Sequence, residues 1–376
     1  MKKIALLIVA IATVSMANEN IAPVEPAVEI LKNDTPKIES SFFDRIHAKG
    51  DMRLRYETIE KGENSNKYRT RYRFRYNLSF DISDTLLLET AISSGKGNPT
   101  SGNVSFRDDD NWADYFVDVL KLDIADLKYS FGDSWLRVGK SKHHIYRPVK
   151  TQLVWDNDIR LEGINYGYKS GNTMIRLGVN RVHREVEPAG SEDINIFLAQ
   201  YVHTQKLGDA NLNLGTAYYY YDGVKGNTTP YGKGKGNALD ANGLYTDDYG
   251  ILEAFGELKY KNIMGKPFKT AITLVYNTLA DSDSFGYDFS MQLGDTKKVN
   301  DWKVAFTYRD VQKNAVYGAH NDSDFNGGGT DSKGYVFTTK YKFAKNVDFG
   351  GYFNWGNLGE GETDYHRVQL DVILKF

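Results

Sequence analysis

Residues 68–82 read Tyr-Arg-Thr-Arg-Tyr-Arg-Phe-Arg-Tyr-Asn-Leu-Ser-Phe-Asp-Ile and alternate without a break. Side chains on a β-strand point to opposite faces in turn. One face therefore carries Arg69, Arg71, Arg73, Arg75, Asn77, Ser79 and Asp81. The other carries Tyr68, Thr70, Tyr72, Phe74, Tyr76, Leu78, Phe80 and Ile82. Four successive guanidinium groups cannot be buried dry, so the first face must meet water. The second is too apolar, over too great a length, to be left there. A strand of about ten residues with one wet and one oily face is what a membrane-spanning β-barrel requires.

The N-terminus points the same way. Lys2 and Lys3 precede an apolar run from Ile4 to Val14, and Ser15-Met16-Ala17 follows as a small-x-small cleavage site. This pattern is that of a secretory signal peptide spanning 1–17. No other stretch approaches the roughly 18 apolar residues of a spanning helix. The expected mature chain is exported and crosses a membrane, if at all, with strands. Its net charge of −2 becomes about −4 when Lys2 and Lys3 are lost, so charge gives no reason to expect a nucleic-acid partner. The chain has no cysteine, so disulfides do not hold it together. Tyrosine (26) and glycine (35) are abundant and proline (8) is scarce, which suits many strands and turns. The negative mean hydropathy is compatible with a barrel, since half of each strand and all outer loops are polar.

Residues 18–42 are rich in Pro and Glu and read as a periplasmic linker or a frayed terminus. From residue 43 to 376, strand-like segments fall near 45–57, 68–82, 85–94, 121–131, 134–141, 158–169, 173–183, 193–205, 211–222, 249–261, 267–278, 286–294, 301–312, 333–343, 347–357 and 364–376. That is 16, with 14 or 18 as the neighbouring even counts. Short connections alternate with long ones, which predicts short turns on one rim and long external loops on the other. The segment 58–67 reads as one of those loops, as do 95–120, 223–248 and 313–332. Aromatic residues near strand ends (Tyr56, Tyr68, Tyr76, Trp302, Tyr335, Phe343 and Trp355 among them) match the interfacial girdles of such a barrel. The last segment is amphipathic and ends on Phe376. That ending resembles the signal by which outer-membrane proteins are recognised by their assembly machinery.

Two further stretches carry a family resemblance. Phe131-Gly-Asp-Ser-Trp-Leu-Arg-Val-Gly-Lys140 resembles the turn and strand that lead into the third loop of bacterial outer-membrane porins. Leu153-Val-Trp-Asp-Asn-Asp-Ile-Arg-Leu-Glu-Gly163 is similar to the loop-to-strand passage of the "putative porin" family of Gram-negative bacteria. The resemblance implies a 16-stranded, commonly trimeric barrel in the outer membrane, among lipids and lipopolysaccharide, that passes small hydrophilic solutes or ions. The short Pro/Glu stretch departs from relatives with a longer or helical periplasmic segment.

In such a pore Arg53, Arg55, Arg69, Arg71, Arg73 and Arg75 are expected to line the lumen from two adjacent strands and form a cationic wall. The third loop, about 142–157, holds Lys142, His143, His144, Arg147, Lys150 and Asp156, with Asp158 just beyond. By resemblance it folds inward and sets the constriction. Asp156, Asp158, Glu162 and Asp108, Asp109 and Asp110 are the candidate acidic counterparts. The expectation is a diffusion pore with weak anion preference. The alternative is that the arginines only pair with Asp51, Glu57 and Asp81 on their own wall. A channel selective for phosphate or carboxylates, an outer-membrane enzyme and an exported soluble β-protein are the competing readings. Adjacent His143 and His144 point oppositely on an extended chain and lack spaced partners, so no metal site is expected. No phosphate-binding loop, nucleophile elbow or paired catalytic carboxylates stand out, so neither cofactor nor catalytic residue is assigned.

Overall fold

A computed structural model describes residues 42–63, 65–95, 99–106, 120–182, 193–230 and 234–376. The expected leader (1–17), nearly all of the expected linker (18–42) and Asp108, Asp109 and Asp110 lie outside the described residues.

The alternating segments form antiparallel strands, each hydrogen-bonded to the next along the chain, with the short β4 pairing instead with β2 and β3 with β5. In chain order they are β1 (Ile46–Lys61), β2 (Ser65–Asp81), β3 (Leu86–Ser94), the two-residue β4 (Val104–Ser105), β5 (Leu120–Phe131), β6 (Ser134–Lys142), β7 (Arg160–Ser170), β8 (Thr173–Arg181), β9 (Asn195–Leu207), β10 (Ala210–Asp222), β11 (Tyr249–Ile263), β12 (Lys266–Asn277), β13 (Phe285–Gly294), β14 (Trp302–Val311), β15 (Ser332–Ala344), β16 (Val347–Leu358) and β17 (Thr363–Lys375). Sixteen of these strands, all but β4, have nine or more residues, and they form a closed barrel. Closure comes from β1 pairing antiparallel with β17, from Asp51 opposite Lys375 to Lys61 opposite Tyr365. Closure satisfies every edge, the only way a sheet can sit in hydrocarbon. No helix among the described residues is long and apolar enough to span a membrane.

The two faces sort as the alternation dictates. Leu54, Tyr56, Leu78, Val138, Leu177, Ile272, Phe337, Phe353 and Leu370 are exposed on the outside. Arg55, Glu57, Asp126, Arg137, Glu253, Asp288, Arg309, Asn354 and Arg367 are buried on the inside. Both ends of the chain's barrel sit on the rim of short turns. There the Gly50 amide donates to the Phe376 carbonyl (2.7 Å), and the Phe376 amide returns the bond (3.1 Å). A Cβ at position 50 would lie 2.3 Å from the Phe376 ring, so glycine is what lets the terminal aromatic cross β1. On the opposite rim, the expected loop at 58–67 is instead mostly strand. Thr58, Ile59, Glu60 and Lys61 pair with Tyr68, Lys67, Asn66 and Ser65. The apolar cue is lost there because charged residues fall on both faces, while the backbone ladder simply continues.

The barrel is not an empty tube. The described residues of loops 143–159, 223–248 and 312–331 fold inward and build an apolar cluster against the walls. Leu153, Trp155, Val224, Tyr245, Ala315, Val316, Tyr317 and Phe325 from the loops pack with Ile196, Tyr219, Tyr221, Tyr249 and Ile251 of β9–β11. Trp155, Tyr221 and Tyr317 form its aromatic centre: Trp155 stacks on Tyr221 at 6.3 Å and Tyr221 meets Tyr317 at 4.9 Å. Open space is left along β1, β2 and β17 toward the rim of long loops and along β13–β17 farther in.

Candidate pore and its charged lining

The lining on that side follows from strand register. Arg53 lies directly opposite Arg73, and Arg55 opposite Arg71, across the β1–β2 pair. Like charges directly opposite one another are destabilising, so carboxylates must intervene. Arg55 holds Asp371 of β17 in a two-pronged contact, Nε–Oδ1 2.6 Å and Nη2–Oδ2 2.8 Å. Arg53 lies 3.7 Å from the same carboxylate and donates to Asn103 Oδ1 at 2.5 Å. Arg73 and Arg75 converge on Asp51 at 2.9 and 3.0 Å. Arg69 donates to Glu57 at 2.7 Å, and Arg71 lies 3.7 Å from it. Glu57 also receives Arg367 and Gln369, each at 3.0 Å, and is fully buried.

The third loop begins after Lys142, at the end of β6, and crosses to the far wall. The Tyr146 amide donates to Gln200 Oε1 (2.7 Å) and the Val149 amide to Glu257 Oε1 (3.0 Å), on β9 and β11. The Thr151 hydroxyl donates to Asp288 of β13. Its expected charges take different roles. Arg147 is turned back on its own loop, donating to the Trp155 carbonyl (2.8 Å) and Asn157 Oδ1 (2.5 Å). His143 lies against the Trp155 ring and His144 edge-on to Trp135. Burial, reinforced by Arg147, lowers the first well below the usual imidazole range. Burial and the neighbouring Arg137 push the second down to about 4. Neither adds positive charge at neutral pH. Asp156 is buried and ties two loops together, accepting the amides of Asp158 (2.7 Å) and Ser323 (2.8 Å). Burial and the nearby Asp158 and Asp322 raise its carboxyl well above the ordinary range. Asp158 reaches the wall, 3.2 Å from Arg75. Glu162 pairs with Lys140 at 2.8 Å instead. Asp81 meets His47 at 2.7 Å rather than an arginine.

A second inward loop adds acidic residues that no sequence motif marks. Asp322 lies 3.1 Å from Arg309. Asp324 lies 2.9 Å from Arg367 and 3.6 Å from Arg55. Burial raises the Asp324 carboxyl, but Arg367, Arg55 and Arg53 outweigh it and hold it well below the usual range. Two cavities flank this residue. The outer one, about 590 Å³, is lined by Arg69, Arg71, Lys235 and Arg367. The inner one, about 310 Å³, is lined by Arg55, Lys150, Lys303 and Asp371. Asp324 lines both, which places it where the two spaces meet. The only sequence signal for an inward loop was indirect. In β10 and β11 both strand phases are apolar (Tyr218 to Tyr221, Tyr249 to Leu252), so something other than water must cover the inner face.

A closed barrel with apolar residues outside, charges inside and short turns on one rim is a transmembrane β-barrel of the outer-membrane kind. The chain belongs to the "putative porin" family, whose model matches residues 58–243 and 258–376. Its fold is shared with porins of known structure. Pseudomonas putida OprB aligns over 90% of this chain and 96% of its own at 10% identity and a TM-score of 0.58. Salmonella typhi OmpF, solved with daunomycin, aligns over 88% and 97% at 10% identity and 0.52. A mutant of the Rh. blastica porin aligns over 88% and 100% at 14% identity and 0.50. No curated protein sequence matches this chain significantly. Family and fold together indicate an outer-membrane channel that crosses the bilayer with strands.

Proposed function

We propose that this protein is a diffusion porin whose path follows β1, β2 and β17 in its outer half and β13–β17 farther in, and that it passes small hydrophilic solutes with a weak preference for anions. The observation that carries this reading is the wall itself. Arg53, Arg55, Arg69, Arg71, Arg73, Arg75 and Arg367 are met by Asp51, Glu57, Asp158, Asp324 and Asp371. Seven guanidinium groups against five carboxylates leave two positive charges on the side where the space is open. The pairing that Asp51 and Glu57 provide is thus real but incomplete, which is why the preference is weak and not strong. Selectivity in a wide pore follows lining charge and diameter, and guanidinium groups stay charged at any working pH.

The same proposal includes export with removal of 1–17, assembly through the Phe376 end, a homotrimer in a bilayer containing lipopolysaccharide, and transport without catalysis. Replacing Arg71, Arg73 and Arg75 by glutamine reverses the sign of the local excess. Reversal potentials in planar bilayers under a KCl gradient should then move toward cation preference. An unchanged reversal potential refutes the cationic wall, and absence of any conductance refutes the channel.

A further inference from the structure

The short-turn half of the lumen holds more lysine charge than the carboxylates beside it pair. Lys269 of β12 lies directly opposite Lys259 of β11, and Lys303 of β14 directly opposite Lys340 of β15. Such cross-strand pairs cost stability. Lys259 is compensated by Glu257 at 3.1 Å, and Lys340 by Asp348 at 2.9 Å. Asp348 is already shared with Lys342 and Lys375. Among the described residues Lys269, Lys303 and Lys150 have no ion-pair partner; Lys150, Lys340 and Lys269 all lie within electrostatic reach of Lys303, with Asp348 the one carboxylate acting on it from a distance. The guanidinium groups nearby offer no relief and no competition, because Arg55 is held by Asp371 and Arg309 by Asp288 at 2.7 Å.

Lys150 is brought there at a cost. Val149 and Lys150 both adopt positive φ, 46° and 62°. A β-branched residue in that region is strained, and strain of this kind gathers at functional sites. The Val149 amide and the Thr151 hydroxyl, anchored on Glu257 and Asp288, hold the bend. Lys150, Lys303 and Lys340 then line the inner cavity together with the hydroxyl of Thr307 and the amide of Gln292, while the Asp322, Asp324 and Asp371 carboxylates that share it are held by Arg309, Arg367 and Arg55. At roughly 30 Å³ per water, its 310 Å³ holds about ten waters, room enough for a small organic ion.

We propose that Lys150, Lys269, Lys303 and Lys340 form a binding site for small organic anions that carry two or three separated carboxylates. The proposal deepens, and rests on, the channel reading above, placing a selective station on the path's inner half. Spacing selects the class. Strands lie about 4.8 Å apart, so the lysines of β12 and β15 are spread over roughly 14 Å of wall. Separated carboxylates can reach two or more ammonium groups at once, whereas a compact ion reaches fewer. Lysine suits a transit site, being a compact, strongly hydrated point charge on a flexible stem.

The test is calorimetric titration of citrate into the full-length detergent-solubilised protein at low salt, for wild type and for Lys269→Gln/Lys303→Gln. Wild type should bind saturably, and the double variant should bind more weakly by about tenfold for each lysine. Because the substitutions remove repulsion, the variant should unfold at the same or a higher temperature, so loss of binding cannot be ascribed to misfolding. Absence of saturable binding, or equal affinity in the variant, overturns the site. Inorganic phosphate should bind more weakly than citrate; equal binding overturns the assignment of class. In bilayers, citrate should reduce the chloride current of wild type more than that of the variant. A protein that binds citrate but carries no current overturns the channel reading and leaves the site standing.

Discussion

Replacing Asp324 by asparagine should make the pore more anion-selective, and the size of the effect follows from its position. The side chain keeps 30% of its surface exposed while touching Arg367 and Arg55, so its charge is felt by a passing ion. Asparagine preserves the shape and removes one negative charge. Both arginines keep another partner, Glu57 for Arg367 and Asp371 for Arg55, so the variant should fold. An ion passing about 6 Å away in water gains or loses roughly 0.7 kcal/mol from one unit charge, and about half that at 0.1 M salt. The effect has opposite signs for cation and anion, so their permeability ratio should change about fourfold. In an approximately tenfold KCl gradient that displaces the reversal potential by roughly 20 mV toward the chloride value. Planar-bilayer recording of the purified variant measures it directly. An unchanged potential would mean that ions do not pass Asp324, and a displacement toward potassium would refute the proposed charge balance.

Two other outcomes are expected. Glu57→Ala leaves Arg69, Arg71 and Arg367 without their shared carboxylate at a fully buried position, which should cost about 3 kcal/mol or more and lower the urea midpoint of the detergent-solubilised barrel; an unaltered midpoint would show that the lumen's water already screens these groups. His320, buried against Trp155 and Tyr221, has its imidazole pushed down to about 3 by burial. The unpacked loop takes up a proton near pH 6.5 and the packed loop only near 3, so this contribution is complete above pH 6.5 and falls through the interval, by about 2 kcal/mol at pH 5. His320→Gln should therefore keep its conductance to lower pH than wild type. Comparing the two isolates His320 from Asp156 and Asp322, whose raised carboxyls titrate in the opposite sense. Identical pH profiles would refute the role given to its burial.

Most of the barrel was legible because alternation is a local property. The segments expected at 85–94, 121–131 and 347–357 differ from β3, β5 and β16 by no more than a residue at either end. That one face of β2 must meet water or charged partners was legible from residues 68–82 alone, since four guanidinium groups cannot be buried dry, whereas an outer surface would hydrate them as well as a lumen does. The third loop's charges were less legible. Lys150 lines the inner cavity, but Arg147, His143 and Asp156 are taken up in contacts within and between loops and His144 packs on Trp135 of the wall, and their types do not distinguish a pore lining from a strut. Asp322 and Asp324 were not legible as inward-facing residues at all. They sit in a Gly- and Asn-rich stretch that reads as an external loop, and only packing on Trp155 and Tyr317 turns it inward.

The sequence by itself determined the compartment, the antiparallel period and which face meets lipid. Each of these depends on how a side chain interacts with a medium, oil or water, and not with a particular neighbour. Tertiary structure decided which charges survive as charges in the pore. Arg55 and its carboxylate partner Asp371 are 316 residues apart and meet only because the barrel closes. Lys269 and Lys303 remain unpaired because strand register sets lysine beside lysine. Neutralisation is a contact between specific atoms, falling off over a few ångströms, and so it is fixed by closure and register, which no local pattern encodes.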